Sequence, residues 1–343
     1  MQAGIKTILG FVGGWIPQST LINLTGQHFL FPFYHTVSNT PLPHVNQVYS
    51  VKSFASFAKD LDYLCKHFQP VGLEELRAFR MGERKASKPS MFLSFDDGLS
   101  GIYDIVAPEL LKRGIPAAFF INTDFVDNKD LFFRYKASLI LDRLEHNNYP
   151  PGILENFQRR FHLVRAGKIN IRELVLSVGY QRRAELDEMA KLVDLDFTTF
   201  LKVKKPYLTS TQIGELAHSG FYIGAHSKDH PLFSDLEEDE QISQYRDSLK
   251  LVQKEFGISD GLFSFPFTDE GVSVSFFDAL SADGFPQLDA TFGTAGLKED
   301  SVDFHFQRIP MEINKYAASR ILKGEYTYYL IKGLLGRNKI NRE

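Results

Sequence analysis

Two short stretches of the sequence combine residue types that suit metal-dependent hydrolysis. In MFLSFDDGLSG, Asp96 and Asp97 stand side by side at the end of an apolar run. Adjacent carboxylates repel each other and are costly to desolvate unless a cation pairs with them. In FYIGAHSKDHPLF, His226 and His230 are four residues apart, so a helical turn would place both imidazoles on one face. Neutral imidazoles at that spacing offer a two-point grip on zinc or a similar divalent ion.

Both stretches directly follow apolar runs of strand character. In parallel α/β folds the carboxyl ends of neighbouring strands converge on one rim, where function is usually placed. We therefore expect Asp97, His226 and His230 to hold one divalent metal, Zn²⁺ by preference, with a position left open for water. Asp96 would stand beside that water as a general base.

Each motif also has a plainer interpretation. In FDDG, an aspartate could cap the following helix while Gly98 takes a positive φ. The two histidines could be unrelated surface residues. The position of both motifs after apolar strands favours the metal site over these alternatives.

Apolar strand-like runs alternate with helical segments along the chain, which predicts an α/β fold, either a barrel or a doubly wound sheet. The runs are FLFPFYHTV (29–37), SMFLSF (90–95), PAAFFI (116–121), FYIGA (221–225), LFSFPF (262–267), LDATFG (288–293) and FHFQRI (304–309). Several are apolar on both faces, as parallel strands covered by helices are. Residues 128 to about 207 lack clear strands and predict a helical insertion, a feature that often covers or shapes a site.

Helical periodicity is clearest between the first two strand runs, where a stripe is formed by Phe54, Phe57, Leu61 and Leu64. A second predicted helix, GIYDIVAPELLKRG, has Gly114 as its C-terminal stop.

The composition is that of an ordinary folded protein. Of the 343 residues, 43% are hydrophobic and 24% charged, which gives no sign of disorder. A net charge of −3 provides no basic field, so we expect no nucleic-acid partner. The single cysteine, Cys65, cannot form an intramolecular disulfide, and we interpret it as a small buried hydrophobe.

The two ends of the chain bear on location. MQAGIKTILGFVGGWIP is interrupted by glycines and has no clear cleavage site, so a cytoplasmic location is expected rather than secretion. No window reaches the ~20 apolar residues that a spanning helix requires. At the other end, YTYYLIKGLLGRNKINRE mixes apolar residues with Lys332, Arg337, Lys339 and Arg342. It predicts either a helix at the inner membrane face or, more simply, a docking helix with a solvated face.

SFDDG and HSKDH together resemble the first two signature motifs of the polysaccharide deacetylases, carbohydrate esterase family 4. FYHTV, the helix around LEEL and APELLKRGIPAAFFI also resemble that family's layout, so the likeness covers roughly 29–127 and 207–315. The resemblance implies a distorted (β/α) barrel. The expected organisation is an N-terminal extension at 1–28, the barrel at 29–315 with its helical insertion at about 128–207, and a C-terminal amphipathic helix or tail at 316–343.

The resemblance also implies an activity, the metal-dependent removal of N-acetyl groups from amino sugars of a polysaccharide or glycan precursor. Asp96 matches the family's general base, and Asp97, His226 and His230 match its metal ligands. The late-strand histidine that acts as general acid in the family is matched by His305. In the third motif, SFPF, Pro266 and Phe267 match the substrate-binding positions, with the Phe267 N–H expected to bind the oxyanion.

Three positions depart from the family's pattern. Ser264 stands where the third motif has an arginine that orients the base; Arg308 in FHFQRIP is the nearest candidate to replace it, unless it pairs with a surface carboxylate. Asp303 stands where a leucine is usual. The only tryptophan is Trp15, so Phe or Tyr would have to line the acetyl pocket. His35 and Asp269 are plausible neighbours of the site to which the sequence assigns no role.

Two other functions fit parts of the sequence. The missing arginine and tryptophan would suit a catalytically silent carbohydrate-binding or scaffold module with the same fold. The same chemistry could also act on another amide, or on a lipid-linked or nucleotide-linked sugar. The sequence does not indicate an oligomeric state.

Overall fold

The computed structural model describes residues 15–82, 88–146, 171–280 and 286–342, together with Lys6, Leu9, Gly10, Gly152, Phe157, Arg159 and Arg160. Its strands are β1 Phe29–Leu30, β2 Pro32–Tyr34, β3 Gln69–Pro70, β4 Ser90–Met91, β5 Leu93–Phe95, β6 Ala117–Ile121, β7 Tyr222–Ala225, β8 Leu262–Ser264, β9 Ala290–Gly293, β10 Glu299–Asp300, β11 His305–Gln307, β12 Ile309–Pro310 and β13 Lys339–Ile340. Every stretch predicted as a strand contains at least part of one of these, so the strand predictions are confirmed.

An all-parallel, 8-stranded sheet lies at the centre of the described residues, in the order β11-β9-β8-β7-β6-β5-β2-β12. Strands β2, β5, β6, β8 and β9 are buried along their whole length, as parallel strands covered by helices should be. Two small sheets accompany it, one with the order β1-β4-β3 and one pairing β10 with β13.

Strands β11 and β12 nearly close the eight-stranded sheet into a barrel. β11 and β12 lie on one continuous stretch of chain, separated only by Arg308. β11 pairs with β9 at one end of the sheet, whereas β12 pairs with β2 at the other. Arg308 therefore lies where the chain passes between the two ends, and its side chain is fully buried. The expected (β/α) barrel is confirmed.

Helices surround the sheet. Within the described residues, the α-helices are α1 Gln18–Thr25, α2 Phe54–His67, α3 Leu73–Arg80, α4 Ala107–Arg113, α5 Phe133–His146, α6 Ile171–Leu176, α7 Glu185–Leu192, α8 Phe197–Lys204, α9 Ser210–His218, α10 Glu238–Phe256, α11 Val274–Ala279 and α12 Ala318–Leu334. Their ends follow sequence signals. Ser53 caps α2 by accepting a hydrogen bond from the Ser56 N–H, and Gly114 ends α4 with a φ of 64°, as predicted.

Helices α5 to α8 form the predicted insertion, and no strand occurs in its described residues. Their apolar faces pack into a hydrophobic cluster distinct from the one around the sheet. Its fully buried members include Ile140, Val175, Leu186 and Met189. The cluster also includes Val45 and Leu99 from outside the insertion, so the insertion is packed firmly against the barrel.

Two local expectations were wrong. In α2 the stripe of Phe57, Leu61 and Leu64 is buried, but Phe54 is exposed because it is the first helical residue and lies beyond the covered part of the stripe. Cys65 is exposed, since it follows Leu64 onto the outer face of the helix.

The C-terminal segment is docked on the barrel. α12 packs against α1, β13 pairs with β10, and Arg342 forms ion pairs with Asp269 and Asp300. Among the described helices, none combines the length and the apolar character needed to cross a bilayer.

Candidate active site

Five strands of the sheet each deliver a side chain to one cavity just after their carboxyl ends. These side chains are His35 after β2, Asp96 after β5, His226 after β7, Phe265 after β8 and Thr294 after β9. Because the strands are parallel, their carboxyl ends share one rim, as expected from the sequence. Asp97 and His230 line the same cavity, which has a volume of about 310 Å³.

Asp97, His226 and His230 form a compact group that could hold a metal ion. Asp97 Oδ1 lies 3.5 Å from His226 Nε2 and 3.2 Å from His230 Nε2. The three ligand atoms lie within 4.8 Å of one another, and all three residues are buried. The predicted ligands are therefore brought together.

The donor set fits a cation. His226 Nδ1 lies 2.8 Å from the Ser264 carbonyl, a bond that requires the proton on Nδ1 and leaves Nε2 as an acceptor. Asp97 Oδ1 faces this acceptor, is buried, and has no hydrogen-bond partner among the described residues. Two acceptors that face each other without a proton between them make a site to which a divalent cation is complementary.

The protonation states also suit metal binding. Burial lowers the pKa of His230, which favours the neutral imidazole. Burial alone would raise the pKa of Asp97, but the neighbouring imidazoles of His226, His230 and His35 hold it well below its usual value. A neutral imidazole and an ionised carboxylate are the forms that ligate metals.

Several residues at the rim adopt positive φ angles. Asp97 has a φ of 71°, His230 of 63° and Phe267 of 57°, values that are uncommon for residues other than glycine. Such conformations cost about 1–3 kcal/mol each and persist only where the surroundings enforce them, most often at functional sites. Gly98 has the expected positive φ of 63°, but neither aspartate caps a helix, so the capped-turn interpretation of FDDG is wrong.

Asp96 is held by Arg308. Arg308 Nη1 lies 2.8 Å from Asp96 Oδ1 and Nη2 lies 2.7 Å from Oδ2, a bidentate pair inside the barrel. Nη2 also donates to Ser264 Oγ at 2.5 Å. Burial alone would raise the pKa of Asp96, but the attraction and hydrogen bond of Arg308, with smaller contributions from His226 and His35, lower it. The expected contact between Arg308 and the base position is formed.

His35 and Glu312 form a second ion pair at the cavity. His35 Nδ1 lies 2.5 Å from Glu312 Oε2, which leaves Nε2 as the free ring nitrogen. Burial alone would lower the pKa of His35, but attraction and a hydrogen bond from Glu312, with smaller contributions from Asp97 and Asp96, raise it to about 9. His35 is therefore cationic at neutral pH.

His305, the residue predicted as general acid, is not brought to this cavity. Its Nε2 lies 3.0 Å from Asp269 Oδ2 and its Nδ1 lies 2.7 Å from Thr291 Oγ1, so both ring nitrogens are engaged elsewhere. It lines a different cavity. Successive side chains of a strand point to opposite faces of the sheet. His305 and Arg308 are three positions apart, so His305 points out of the barrel when Arg308 points into it.

The comparisons with known proteins agree with this geometry at the level of fold. No protein-family model and no curated protein matches the chain. Among solved structures, the deacetylase PplD of Streptococcus pyogenes in complex with acetate is similar, with 13% identity, a TM-score of 0.53, and 87% of this chain and 97% of that chain covered. IcaB from Ammonifex degensii is similar at 15% identity and a TM-score of 0.52, covering 86% and 97%. A de-N-acetylase from Aggregatibacter actinomycetemcomitans matches at 12% identity and a TM-score of 0.50, covering 86% and 99%.

The chain has the polysaccharide deacetylase fold. The likeness inferred from SFDDG and HSKDH is thereby confirmed in the architecture of the barrel.

Aromatic side chains form most of the cavity wall in this deacetylase fold. The aromatic lining consists of Phe33, Tyr49, Phe132, Phe265 and Phe267 besides the two ligand histidines and His35. Trp15 lies outside the cavity and is almost fully exposed. Pro266 is buried beneath the loop and does not line the cavity, whereas Phe267 lines it and is 40% exposed.

Sequence reasoning named His35 as a neighbour of this site without assigning it a role, and it missed Glu312, Tyr49 and Tyr135. His35, like Asp96, is a polar residue directly after an apolar strand, and this is the signal that places it beside the site. Glu312, Tyr49 and Tyr135 have no comparable signal, because only the fold brings their side chains to His35 and Asp97.

Proposed function

We propose that the protein is a Zn²⁺-dependent hydrolase of carbon–nitrogen bonds other than peptide bonds, which removes N-acetyl groups from amino sugars of a polysaccharide or glycan precursor. The convergence of Asp97, His226 and His230 beside Asp96 carries this proposal. Similar folds include a deacetylase in complex with acetate and a de-N-acetylase, which supports the same chemistry for this chain.

In the proposed reaction, Asp97, His226 and His230 hold the metal ion. When bound, a divalent cation would polarise the acetyl carbonyl and lower the pKa of a water molecule. Asp96 accepts the proton of the attacking water as general base. Arg308 keeps Asp96 ionised and fixes both of its oxygens, so the base is oriented before substrate arrives.

Phe267 stabilises the developing oxyanion through its backbone N–H. Phe267 has a positive φ, and no described residue accepts a hydrogen bond from its N–H, so this donor is left available. A fixed N–H donor aimed at developing negative charge is typically one of the larger contributions to acyl-transfer catalysis.

His35 is the proposed general acid. Nε2 is the ring nitrogen not bound to Glu312, and the raised pKa of about 9 keeps a proton available to the departing amine at neutral pH. His305 is unsuited to this task because both its nitrogens are bonded outside the cavity.

This arrangement removes the main argument for a catalytically silent binding module. Its argument was the missing family arginine, and Arg308 fills that place on Asp96. The absent tryptophan is offset by the aromatic wall of the cavity.

Metal content and acetate release together test the proposal. Mass spectrometry should find about one zinc or similar ion per chain, lost in His226→Ala and Asp97→Ala but kept in Asp96→Asn. The parent should release acetate from oligosaccharides of N-acetylglucosamine, and Asp96→Asn should not. A chelator-insensitive activity, or a parent that takes up no divalent metal, would overturn the mechanism.

We also propose that the protein associates peripherally with a membrane through the end of α12. Leu334 is 88% exposed and Leu335 is 62% exposed, and Arg337 and Lys339 follow on the surface. Exposed aliphatic residues beside basic ones suit an anionic lipid surface. Sedimentation with vesicles containing phosphatidylglycerol should be reduced in Leu334→Ser/Leu335→Ser, and equal sedimentation of parent and variant would contradict the proposal.

A further inference from the structure

The helical insertion reaches the metal-ligand group through a buried tyrosine. Tyr135 on α5 donates its hydroxyl to Asp97 Oδ2 at 2.5 Å, and Tyr49 lies 3.1 Å from the same oxygen. The two hydroxyls are themselves 2.5 Å apart. Tyr135 is fully buried and lies outside both stretches that resemble the deacetylase family.

These hydroxyls make the two oxygens of Asp97 unequal. Oδ2 is occupied by tyrosine donors, whereas Oδ1 faces His226 and His230 without a hydrogen-bond partner. Hydrogen bonds to an ionised carboxylate are roughly twice as strong as neutral ones. A carboxylate bound in this way has one oxygen left to offer a metal, in a fixed direction.

The same face of α5 positions the wall of the cavity. One turn after Tyr135, the Ser138 hydroxyl donates to the Pro43 carbonyl at 2.6 Å and accepts from the Gln47 N–H at 3.2 Å. This clamp holds the segment that presents Tyr49, whose ring stacks on His35 with centroids 4.1 Å apart. One face of α5 therefore contacts Asp97 directly and supports His35 through Tyr49.

The insertion also touches the histidine loop. The ring of Phe132, just before α5, lies 4.2 Å from the His230 ring between centroids. The Tyr180 hydroxyl donates to Asp229, the residue directly before His230 in HSKDH, and lies 2.7 Å and 2.9 Å from its two oxygens. Both ligand-bearing loops are thus supported from the insertion.

We propose that Tyr135 is a positioning residue of the metal centre, which with Tyr49 restricts Asp97 to coordination through Oδ1. This inference rests on the proposed metal-dependent function. It makes the insertion part of the catalytic unit, because α5 sets the geometry of a ligand.

Zinc affinity of Tyr135→Phe is the decisive measurement, made on the full chain by competition with a chromophoric chelator. The variant keeps the ring and loses only the hydroxyl. We expect zinc to bind about 10–100-fold more weakly, as is typical when a ligand loses its hydrogen-bonding partner. The d–d spectrum of the Co²⁺ form should also change, because Oδ2 would keep only its longer contact, to Tyr49, and would coordinate more readily.

Tyr326→Phe is the matched control. It also removes the hydroxyl of a buried tyrosine. That hydroxyl donates to the Gln27 carbonyl at 2.9 Å and does not line the cavity, so the zinc affinity of the variant should equal the parent's. If Tyr135→Phe does not fold, Tyr49→Phe carries the test, since it removes the other donor without altering α5, and it should also weaken zinc binding.

The outcomes separate this inference from the proposed function. A parent that binds zinc and a Tyr135→Phe variant that binds it equally well, with an unchanged Co²⁺ spectrum, would overturn the positioning role and leave the hydrolase proposal standing. A parent that binds no divalent metal would overturn both. A zinc-binding parent with the expected variant, but without acetate release, would support the positioning role and contradict the deacetylase activity.

Discussion

Arg308 and Asp96 form a bidentate ion pair inside the barrel, although Arg308 lies on the stretch that closes the sheet and Asp96 follows β5, two strands away from β12. Ser264 stands where the resemblance to the deacetylase family leads us to expect an arginine. Its hydroxyl accepts a hydrogen bond from Arg308 Nη2 at 2.5 Å and donates one to Asp96 Oδ2 at 3.4 Å. The small serine side chain leaves the space that the guanidinium fills. Arg308 thus makes, from a different stretch of the chain, the contact with Asp96 that the resemblance led us to expect of an arginine at position 264.

Replacing Arg308 should therefore impair both stability and turnover. Arg308→Met leaves the buried Asp96 carboxylate without its counter-ion, and breaking a buried pair in this way typically costs about 3–5 kcal/mol. Urea unfolding should show that loss, and acetate release should fall with it. The double variant Ser264→Arg/Arg308→Ser, which restores the family's arrangement, should recover part of both, whereas no recovery would show that the two positions are not interchangeable.

His35 and His305 can be told apart by substitution. His35→Gln should lower kcat for acetate release by about 10²–10⁴-fold, the usual contribution of a general acid or base. His305→Gln should retain most of kcat, because His305 contacts Asp269 and Thr291 rather than the cavity. Zinc content, measured alongside, should be unchanged in both variants. The opposite pattern of kcat losses would restore His305 as the acid.

Glu312 should set the alkaline limb of the pH profile. The groups facing His35 are Glu312, Asp97 and Asp96, with the Tyr49 ring stacked on it, and together the carboxylates raise its pKa to about 9. A general acid must be protonated, so activity should be lost as pH rises through this pKa. Glu312→Gln removes the strongest attraction and should move the alkaline limb to lower pH.

Asp269→Asn is the control for that shift, since Asp269 pairs with His305 instead. It should leave the limb in place, and a limb that moves with Asp269 but not with Glu312 would contradict the assignment. The free energy of unfolding should also fall as pH rises over this range. Because folding raises the pKa of His35 from 6.5, its contribution is complete below pH 6.5 and is lost as pH rises through about 9.

A buried ion pair away from the cavity should matter for stability alone. Lys52 pairs with Asp60 in the interior and also donates to the Tyr316 carbonyl at 2.8 Å, while Asp60 accepts from the Ala318 N–H at the start of α12. Lys52→Met should reduce the free energy of unfolding by about 3 kcal/mol because it leaves a buried carboxylate unpaired.

The exposed pair of Arg182 and Glu185 is the comparison for Lys52. Their side chains are 44% and 30% exposed, so solvent screens the pair and Arg182→Met should change the free energy of unfolding by less than about 1 kcal/mol. Urea unfolding of both variants measures the two changes in the free energy of unfolding. Equal decreases would show that burial does not decide how much such an ion pair contributes to stability.

Local pattern was sufficient for the strands, the insertion and the metal group. Strand stretches were recognisable because parallel strands buried on both faces read as continuous apolar runs. The polar residues that follow such runs could be grouped from their positions in the chain, because parallel strands end on one rim. These residues are Asp96, Asp97, His226 and His230.

Tertiary structure alone decided which distant side chains complete the site. Arg308 reaches Asp96 because the last stretch crosses from β9 to β2, and His305 misses the cavity because it lies on the same stretch at a different point of the pleat. Glu312, Tyr49 and Tyr135 meet their partners across 277, 48 and 38 residues of chain. Periodicity and spacing indicate which face of its own helix or strand a residue occupies. Contacts between residues far apart in the chain depend instead on how whole helices and strands pack together.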